Sequence, residues 1–313
     1  MYDTITLRLE TTNAAGSMSK LTETTEIVDR ATGEARYFGK LQNLRVKIWP
    51  CGIWLSGSLP KFHLGSNIET LSREETARAI EHLSDALSQP MAEARVFRVD
   101  VGQTFAMERP PSDYWQGILT PPRTKRIQYA NETLTFFNGQ RSIVFYDKLA
   151  EIRRARAVTN GRAGHRELGR FLGCPHLLRF EVQFKRRLGR EFGEREIKAA
   201  SLSAAAFYEK VVKRWEATYF ALERVPPVRS PVGGTTVKSD VNFLAALGLQ
   251  EVGAQRYLDI IGTDLRAGLI DKYQAHRRRK KVKELSRMGG ITAAADVLEE
   301  LDTKVKQAVG FYI

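Results

Sequence analysis

The chain has little of what marks several large protein classes. It contains two cysteines, Cys51 and Cys174, and neither has a partner at metal-ligand spacing. We therefore expect neither a structural disulfide nor a zinc site, and we predict a reducing, cytoplasmic location. It has five histidines, and no two of them flank a single apolar residue. No apolar run approaches the roughly 18–20 residues that a membrane helix needs, so we expect no membrane span.

Positive charge, by contrast, is abundant. The 313 residues include 49 Lys and Arg against 36 Asp and Glu, a formal net charge of +13. Proteins this basic commonly neutralise a phosphate backbone and release its counterions. A basic protein that is merely soluble, or that binds an acidic partner, is the alternative. Because the charge is clustered along the chain, we favour nucleic acid as the partner.

Apolar periodicity predicts strands first and helices later, which indicates an α+β fold. Ser72 and Glu75 form a capping box before a predicted helix that ends near Leu87. Asn138-Gly139 predicts a hairpin turn. We divide the chain into residues 1–200 and a helical, basic region of residues 201–313, with a linker near 226–234. Predicted strands cover residues 2–10, 35–49, 52–59, 95–107 and 177–188.

Three predicted strands have polar side chains that a solvated surface would not need. In FRVDV, Asp100 faces away from Phe97, because side chains alternate along a strand. In SIVFYDK, Tyr146 and Lys148 share a face. In LLRFEVQF, Glu181 faces away from the apolar residues. If these strands are neighbours in one sheet, the four polar side chains collect on one surface.

These residue types suit the cleavage of a phosphodiester. A tyrosine can attack phosphorus and form a covalent phosphotyrosine. Carboxylates bind Mg²⁺ or Mn²⁺ through oxygen, and the metal neutralises charge on the phosphate. Lys148 can lower the tyrosine pKa or hold a phosphate oxygen. Glu151 faces the same site if a helix begins near Asp147. Taken singly, a strand tyrosine is usually a core or surface residue, and an Arg-x-Asp pair is usually a surface ion pair.

Taken in order, FRVDVGQTF, RSIVFYDKLAEIRR and LLRFEVQFKRRLGREFG resemble the replication initiators of filamentous phages, the phage/plasmid II/X family. The opening MYDTITLRL and the segment GSLPKFHLGSNI fit as well, and the same triplet is similar to that of Rep-trans plasmid initiators. The resemblance covers roughly residues 1–200. It implies an antiparallel-sheet nuclease domain in a bacterial host, with origin DNA, host helicase and host polymerase as partners.

The resemblance also implies rolling-circle initiation by metal-dependent nicking of one DNA strand, with a 5′-phosphotyrosine intermediate and a free 3′ hydroxyl. Because no His-hydrophobe-His pair is present, the metal would depend on carboxylates. A second nucleophilic tyrosine is not evident, and we interpret Tyr114 and Tyr129 as structural. The implied catalytic residues are Tyr146 and Lys148, and the implied ligands of Mg²⁺ or Mn²⁺ are Asp100, Glu151 and Glu181.

Two basic segments are candidates for DNA contact. Small residues around Lys61 would let backbone amides and the ammonium meet a phosphate, although a hairpin edge explains the segment equally well. A second segment, at 277–283, is charged on most faces if helical and would then not be a core helix. Phosphate contact is the favoured interpretation, and a solvated helix is the alternative. Its basic residues are Arg277, Arg278, Arg279, Lys280, Lys281 and Lys283.

Two other functions remain open from the sequence. A non-catalytic DNA-binding protein, such as a repressor or replication factor, would bind DNA without forming a covalent adduct. An RNA-binding protein would use aromatic side chains of the sheet as stacking platforms. Aromatic residues on the three motif strands alternate mostly to the apolar face, which argues against that use.

Overall fold

The computed structural model describes residues 1–115, 118–158, 171–224, 237–286 and 295–313. These residues confirm an α+β fold with a large antiparallel sheet and a helical C-terminal region. No helix within these ranges combines the length and apolar character needed to span a bilayer. The strands are β1 (Tyr2–Glu10), β2 (Thr22–Val28), β3 (Ala35–Leu41), β4 (Leu44–Trp49), β5 (Gly52–Ser58), β6 (Arg95–Met107), β7 (Lys125–Tyr129), β8 (Thr133–Phe137), β9 (Arg141–Asp147) and β10 (His176–Phe184).

The helices fall mostly in the second half of the chain. Short 3-10 helices at Ala14–Lys20, Met91–Glu93 and Ala199–Ser203 add to them. The α-helices are α1 (Leu59–Leu64), α2 (Arg73–Leu87), α3 (Pro111–Trp115), α4 (Lys148–Val158), α5 (Leu188–Phe192), α6 (Ala205–Phe220), α7 (Val237–Val252), α8 (Ala254–Arg266), α9 (Lys272–Ser286) and α10 (Ala295–Tyr312).

Several local predictions are confirmed. The predicted capping box at Ser72 and Glu75 begins α2, with both reciprocal hydrogen bonds present. Asn138 accepts backbone hydrogen bonds in the turn that joins β8 to β9. The stretch 35–49, expected as one strand, is two strands, because the chain reverses between Leu41 and Leu44. Two further strands, β2 and β7, lie at the edges of the sheet and were not predicted.

The ten strands form one sheet in the order β2-β3-β4-β5-β1-β6-β10-β9-β8-β7. Every pair of neighbours is antiparallel. The three motif strands are β6, β10 and β9. They are adjacent in the sheet, as the proposed shared surface requires. Residues that pair across antiparallel strands point to the same face of the sheet. The register therefore shows which motif side chains share a face.

Helices cover one face of this sheet. The ring of Phe180 on β10 packs against Trp215 and Tyr219 of α6, at centroid distances of 4.9 and 5.3 Å. The hydroxyl of Tyr312, near the end of α10, donates to Gln103 on β6. The apolar residues of the strands alternate to this side and form the core. The opposite face has most of the polar strand residues, and we call it the polar face.

The polar face is closed at one end by a small apolar cluster. Leu177, at the start of β10, is fully buried there against Ile68, Ile152 and Phe171. Ile152 belongs to α4, which follows β9 directly, so the helix covers this end of the face. Beyond the cluster, the face continues through the polar residues of β10 towards β6 and β1. The candidate site lies next to the cluster.

The chain divides into two compact units, Met1–Glu223 with Glu300–Ile313, and Arg224–Glu299. This division differs from the predicted boundary at residue 200 because α6 buries Trp215 and Tyr219 against the sheet. The predicted linker near 226–234 lies outside the described residues. In the second unit, α7, α8 and α9 pack around a core of their own.

Candidate functional site

Tyr146 and Glu181 are on the polar face of adjacent strands. Tyr146 on β9 pairs with Arg179 on β10, and Glu181 pairs with Val144 of β9. Paired residues share a face, so the side chains of Tyr146, Arg179 and Glu181 point the same way. Tyr146 is half-buried, whereas Arg179 and Glu181 are buried. The structure thus places the predicted nucleophile beside one predicted metal ligand.

Arg179 is the centre of this site. Its Nη2 lies 2.6 Å from Oδ2 of Asp3, and its Nε lies 3.4 Å from Oε2 of Glu181. Its Nη1 donates to the backbone oxygen of Asn67 at 2.9 Å and to Oγ1 of Thr104 at 3.2 Å. The guanidinium is fully buried, and a buried cation with several partners of this kind holds its neighbours in one geometry.

Lys148 is the first residue of α4, which confirms that a helix begins directly after the tyrosine strand. Its Nζ donates to Oε2 of Glu151 at 2.6 Å and to Oδ1 of Asn67 at 3.0 Å. The same atom lies 5.8 Å from the ring centroid of Tyr146. Burial and the charge of Arg179 lower the pKa of Lys148, while the bond to Glu151 opposes that shift. Glu151, predicted as a metal ligand, is therefore an ion-pair partner of this lysine.

Asp100 lies further from the tyrosine. It pairs with Gln183, four residues along β10 from the position opposite Tyr146. Strand geometry then puts the Cα atoms of Asp100 and Tyr146 roughly 16 Å apart. The carboxylate is buried and accepts two bonds from Arg98, from Nε at 2.8 Å and from Nη2 at 2.6 Å.

Asp3, which the sequence reasoning missed, links the two ends of the site. The register between β1 and β6 shifts between Tyr2 and Ile5, which are paired with Val101 and Val99. This bulge leaves Asp3 and its neighbour opposite the single residue Asp100. An aspartate at an apolar position of a strand was the available signal, but simple alternation assigns it to the core.

A glycine makes room for Glu181. Gly102 on β6 pairs directly with Glu181 on the polar face. A Cβ added to Gly102 would lie 3.0 Å from the Phe180 oxygen and 3.2 Å from Cβ and Cγ of Glu181. The glutamate can therefore extend across β6, and its Oε1 accepts a bond of 2.7 Å from Gln183.

Burial and crowding of negative charge shift the pKa values in this site. Burial, followed by the charges of Glu181 and Asp3, raises the pKa of Asp100 to about 7, although the bonds from Arg98 oppose the shift. Burial and the charge of Asp3 raise the pKa of Glu181. Burial also raises the pKa of Tyr146 well above its usual range, with Arg179 opposing and Glu181 adding to the effect.

The pKa of Asp3 moves in the other direction. Burial alone would raise it, but the charge of Arg179 and the hydrogen bond from Ser58 are the first of several contributions that together lower it. The bond from Ser58 Oγ to Oδ1 of Asp3 is 2.6 Å long. Asp3 therefore stays ionised more readily than Asp100 or Glu181.

The donor chemistry of the site fits a hard divalent cation. Carboxylate oxygens are the ligands that Mg²⁺ and Mn²⁺ prefer. Three buried or half-buried cations pair with four carboxylates here, so these seven groups have a net charge of −1 when every carboxylate is ionised. Within the described part of the chain, no group of three or more His, Cys, Asp or Glu is arranged as a ready metal site. The carboxylates are Asp3, Asp100, Glu151 and Glu181, and the cations are Arg98, Lys148 and Arg179.

The candidate DNA-contact residues lie in both units. Lys61, on α1, lines a cavity of about 40 Å³ together with Asn67, Lys148 and Glu151, so it borders the site. The run from residue 277 to residue 283 is helical as part of α9. Its six basic residues are exposed, while Val282 packs into the core of the second unit. A single row of buried residues, Ala275, Val282 and Leu285, thus anchors α9 in the core of the second unit.

The two other tyrosines considered from the sequence differ in their surroundings. The hydroxyl of Tyr114 is bonded to Glu300 and to the backbone of Arg109, which ties α10 to α3. Tyr129 on the edge strand β7 pairs with Thr133, which pairs with Tyr146. Tyr129 is 63% exposed and lies on the polar face, in line with the predicted nucleophile.

Comparison with known proteins identifies the family. Residues 1–217 match the sequence profile of the family described as the N-terminal part of a phage replication-associated protein. This span includes all strands of the sheet and most of α6. No curated protein matches the chain. The match extends past the predicted limit at residue 200 and covers the Tyr146 and Arg179 strands. The chain therefore belongs to this family of replication-associated proteins, the replication initiators of filamentous phages.

Proposed function

We propose that this protein starts rolling-circle replication by nicking one DNA strand at the origin and joining itself to the 5′ end. The proposal makes it a metal-dependent, site-specific endonuclease and strand transferase with a nuclease-type sheet domain. One observation carries it above the others. In a family of replication initiators, Tyr146 lies on the polar face beside a fully buried arginine, a buried lysine and buried carboxylates.

The chemistry needs a nucleophile and groups that stabilise charge. The phenol oxygen of Tyr146 attacks the phosphorus of the scissile phosphodiester and forms a Tyr–O–P bond. The bond between phosphorus and the 3′ oxygen breaks, and the 3′ oxygen takes up a proton and leaves as a hydroxyl. The 5′ end stays on the protein. The released 3′ hydroxyl serves as primer for the host polymerase, and a host helicase opens the duplex ahead of it.

The neighbours of Tyr146 have separate tasks in this proposal. Glu181, whose raised pKa makes it a better base than an ordinary carboxylate, accepts the phenol proton on one carboxylate oxygen and leaves the other oxygen for the metal. Lys148 and Arg179 stabilise negative charge that develops on the phenol oxygen and on the phosphate. Since the surroundings raise the pKa of Tyr146, the phenol is protonated before the reaction and needs a base.

Asp100 and Glu181 would hold a Mg²⁺ or Mn²⁺ ion, which would neutralise charge on the phosphate when bound. Glu151 instead keeps Lys148 in place through the bond of 2.6 Å. A divalent ion at these oxygens competes with the contacts from Arg98 and Arg179, since both guanidinium groups bond the same carboxylates.

Binding of the origin duplex is assigned to α9 and to Lys61. The basic residues of α9 are exposed, and Arg277, Arg278, Lys280 and Lys281 line an open groove of about 730 Å³ with Tyr273 and His276. Lys61 is next to the site, which supports its assignment to the phosphates beside the nick. A loss of α9 charges then weakens duplex binding at all sequences, because phosphate contacts do not read bases.

The test is covalent capture of DNA. Overlapping labelled single-stranded oligonucleotides that span the replicon encoding the protein are incubated with it and Mn²⁺, then run on a denaturing gel. We expect one oligonucleotide to give an SDS-resistant band with the unchanged protein and with Tyr129→Phe, and none with Tyr146→Phe. The phenol oxygen is lost in that variant, but its shape remains. Undiminished adduct with Tyr146→Phe overturns the assignment.

A non-catalytic DNA-binding replication or repressor protein is the second candidate. The basic surface of α9 favours it, because DNA binding alone accounts for those residues. It predicts salt-sensitive binding, no adduct with any oligonucleotide, and no effect of Tyr146→Phe on binding. An adduct that survives SDS and disappears with the phenol oxygen excludes it.

A further inference from the structure

The polar face has a second feature, away from the candidate site. One row of paired residues crosses five neighbouring strands, from β3 through β4, β5 and β1 to β6. Aromatic rings and cations alternate over most of the row, and the row spans about 19 Å at ordinary strand spacing. The paired residues, in order, are Phe38, Lys47, Trp54, Arg8 and Arg95.

A bulge adds a third aromatic ring to this row. Simple alternation assigns Phe97 to the apolar face, but the register of β6 against β1 shifts between Arg98 and Val96. The ring of Phe97 consequently lies 4.9 Å from that of Trp54, and the guanidinium of Arg95 lies 5.0 Å from it. We name Arg8, Phe38, Lys47, Trp54, Arg95 and Phe97 the aromatic strip.

The rings of the aromatic strip are open to solvent on one side. Phe38, Trp54 and Phe97 are half-buried, whereas alternate residues of the same strands are buried in the core. Lys47 stacks over Phe38 at 5.4 Å, and Arg8 stacks over the nearby Trp49 at 5.5 Å. Apolar strand residues would serve the sheet alone equally well, so the paired cations and rings indicate a ligand with both charge and flat rings.

The charges around the strip are mainly positive. Arg36 and Arg45 are exposed on β3 and β4, and Lys185 and Arg186 line a cavity of about 290 Å³ that also includes Phe97. Acidic groups are also present. Glu10 pairs with Arg8 at 3.2 Å, and Glu196 pairs with Arg95 at 3.7 Å, in both cases with exposed carboxylates. Exposed pairs of this kind are weak and give way to a phosphate.

We propose that the aromatic strip binds single-stranded DNA next to the nick, with bases stacked on the rings and phosphates on the cations. The inference rests on the proposed function for the identity of the strand. Single-stranded nucleic acids bind to grooves in which aromatic rings stack bases and cations follow the backbone. A duplex hides its base faces within the stack and leaves such rings unused. Arg98 and Asp100 connect the strip to the candidate site along the same face.

The test measures binding without chemistry. A labelled oligothymidylate of about 20 nucleotides and a duplex of the same length are titrated into Tyr146→Phe protein, followed by anisotropy. In that background, Trp54→Leu with Phe97→Leu is expected to weaken oligothymidylate binding at least about 10-fold, since each stacked base contributes substantially. Duplex binding should change less than about 2-fold. Phe311→Leu, an exposed ring on α10 of the helix-covered side, is the matched control and should change neither.

Tryptophan fluorescence gives a second readout. Trp115 and Trp215 are fully buried, so quenching by the oligonucleotide reports on the two half-buried residues Trp49 and Trp54. We expect Trp54→Leu to remove a large part of the quenching. If the double variant unfolds at a lower urea concentration than its parent, Lys47→Glu with Arg45→Glu replaces it, and the same loss of single-strand binding is expected.

Three outcomes overturn the inference. They are unchanged oligothymidylate binding by the folded variants, an equal loss for duplex, and tighter parental binding to oligouridylate than to oligothymidylate. A failure of the proposed function looks different. In that case the unchanged protein forms no adduct with any oligonucleotide, while the strip variants still lose single-strand binding.

Discussion

The two ends of the polar face carry charge in different ways. Around Arg179 the charges are buried and bonded to one another, and each partner has a fixed place. Around Trp54 the cations are exposed or half-exposed and stack on aromatic rings. Both ends belong to one antiparallel sheet and share β1 and β6, so strand pairing alone does not produce the difference.

Cover decides it. At the Arg179 end, α4 and the segment around Ile68 close the face and exclude water, so each charge needs a protein partner. At the Trp54 end the strands remain open, and water can solvate the cations. A closed, charged pocket suits a reaction at one atom, whereas an open row of rings and cations suits a long, flexible ligand. Three predictions test this contrast, in order of expected effect.

The largest effect is expected from Arg179→Met. The change leaves Asp3 and Glu181 buried without their cation, and breaking a buried pair in this way costs about 3–5 kcal/mol of unfolding free energy. Urea unfolding measures it. Arg98→Met is the matched control, with a smaller loss expected, because Arg98 is partly exposed and Asp100 has a pKa near neutrality. Equal losses of unfolding free energy in the two variants would contradict the proposed difference between the closed and the open end.

The second prediction concerns pH. The pKa of Asp100 is raised from 3.8 to about 7, so the folded protein holds this proton to higher pH than the unfolded chain. The contribution of Asp100 to the free energy of unfolding is therefore at its maximum below about pH 4. It falls as the pH rises towards about 7 and is constant above that pH. Glu181 acts in the same direction, and Asp3, with a lowered pKa, acts only at lower pH.

Between pH 5 and 8, the free energy of unfolding should fall less in Asp100→Asn than in the parent. The difference should be on the order of 2 kcal/mol. Urea midpoints measured with EDTA across this range are the readout. Glu10→Gln, an exposed carboxylate on the strip side, is the control and should leave the pH profile unchanged. A steeper fall in Asp100→Asn than in the parent would refute the sign.

The smallest effect is expected from Lys47→Met on the strip. Affinity for oligothymidylate should fall a few-fold, and the slope of log affinity against log salt should drop by about 0.7, the value for one phosphate contact to a single strand. The urea midpoint should stay the same, since Lys47 is exposed. Lys304→Met, on α10, is the matched control and should change neither quantity.

Alternation of polar and apolar residues was a sufficient guide where strands are regular. Tyr146, Lys148 and Glu181 were predicted on one face, and the register puts Tyr146 and Glu181 there with Lys148 beside them. The helix after Tyr146 and the capped helix α2 were also predictable, because their signals lie within a few residues. The metal, the nucleophile and the DNA contacts remain predictions.

Alternation failed at two bulges in the pairing of β1 with β6. One turns Asp3 to the polar face, and the other does the same for Phe97. An extra residue in one strand exchanges the faces of everything beyond it, and its position depends on a partner strand about 90 residues away in sequence. No local pattern contains that information. The salt bridges and hydrogen bonds of Arg179 have the same origin, since their partners lie on β1, on β6, on β10 and at Asn67.

The sequence alone determined the fold class, the family motifs, the basic character and the residues that suit phosphodiester chemistry. These depend on composition and on spacings of a few residues, which are the same in the unfolded and the folded chain. Only the tertiary structure decided which carboxylates surround Arg179, that Asp3 is one of them, and that aromatic rings and cations form a row across five strands. Those arrangements depend on strand order, register and cover, which are fixed only when distant segments pack together.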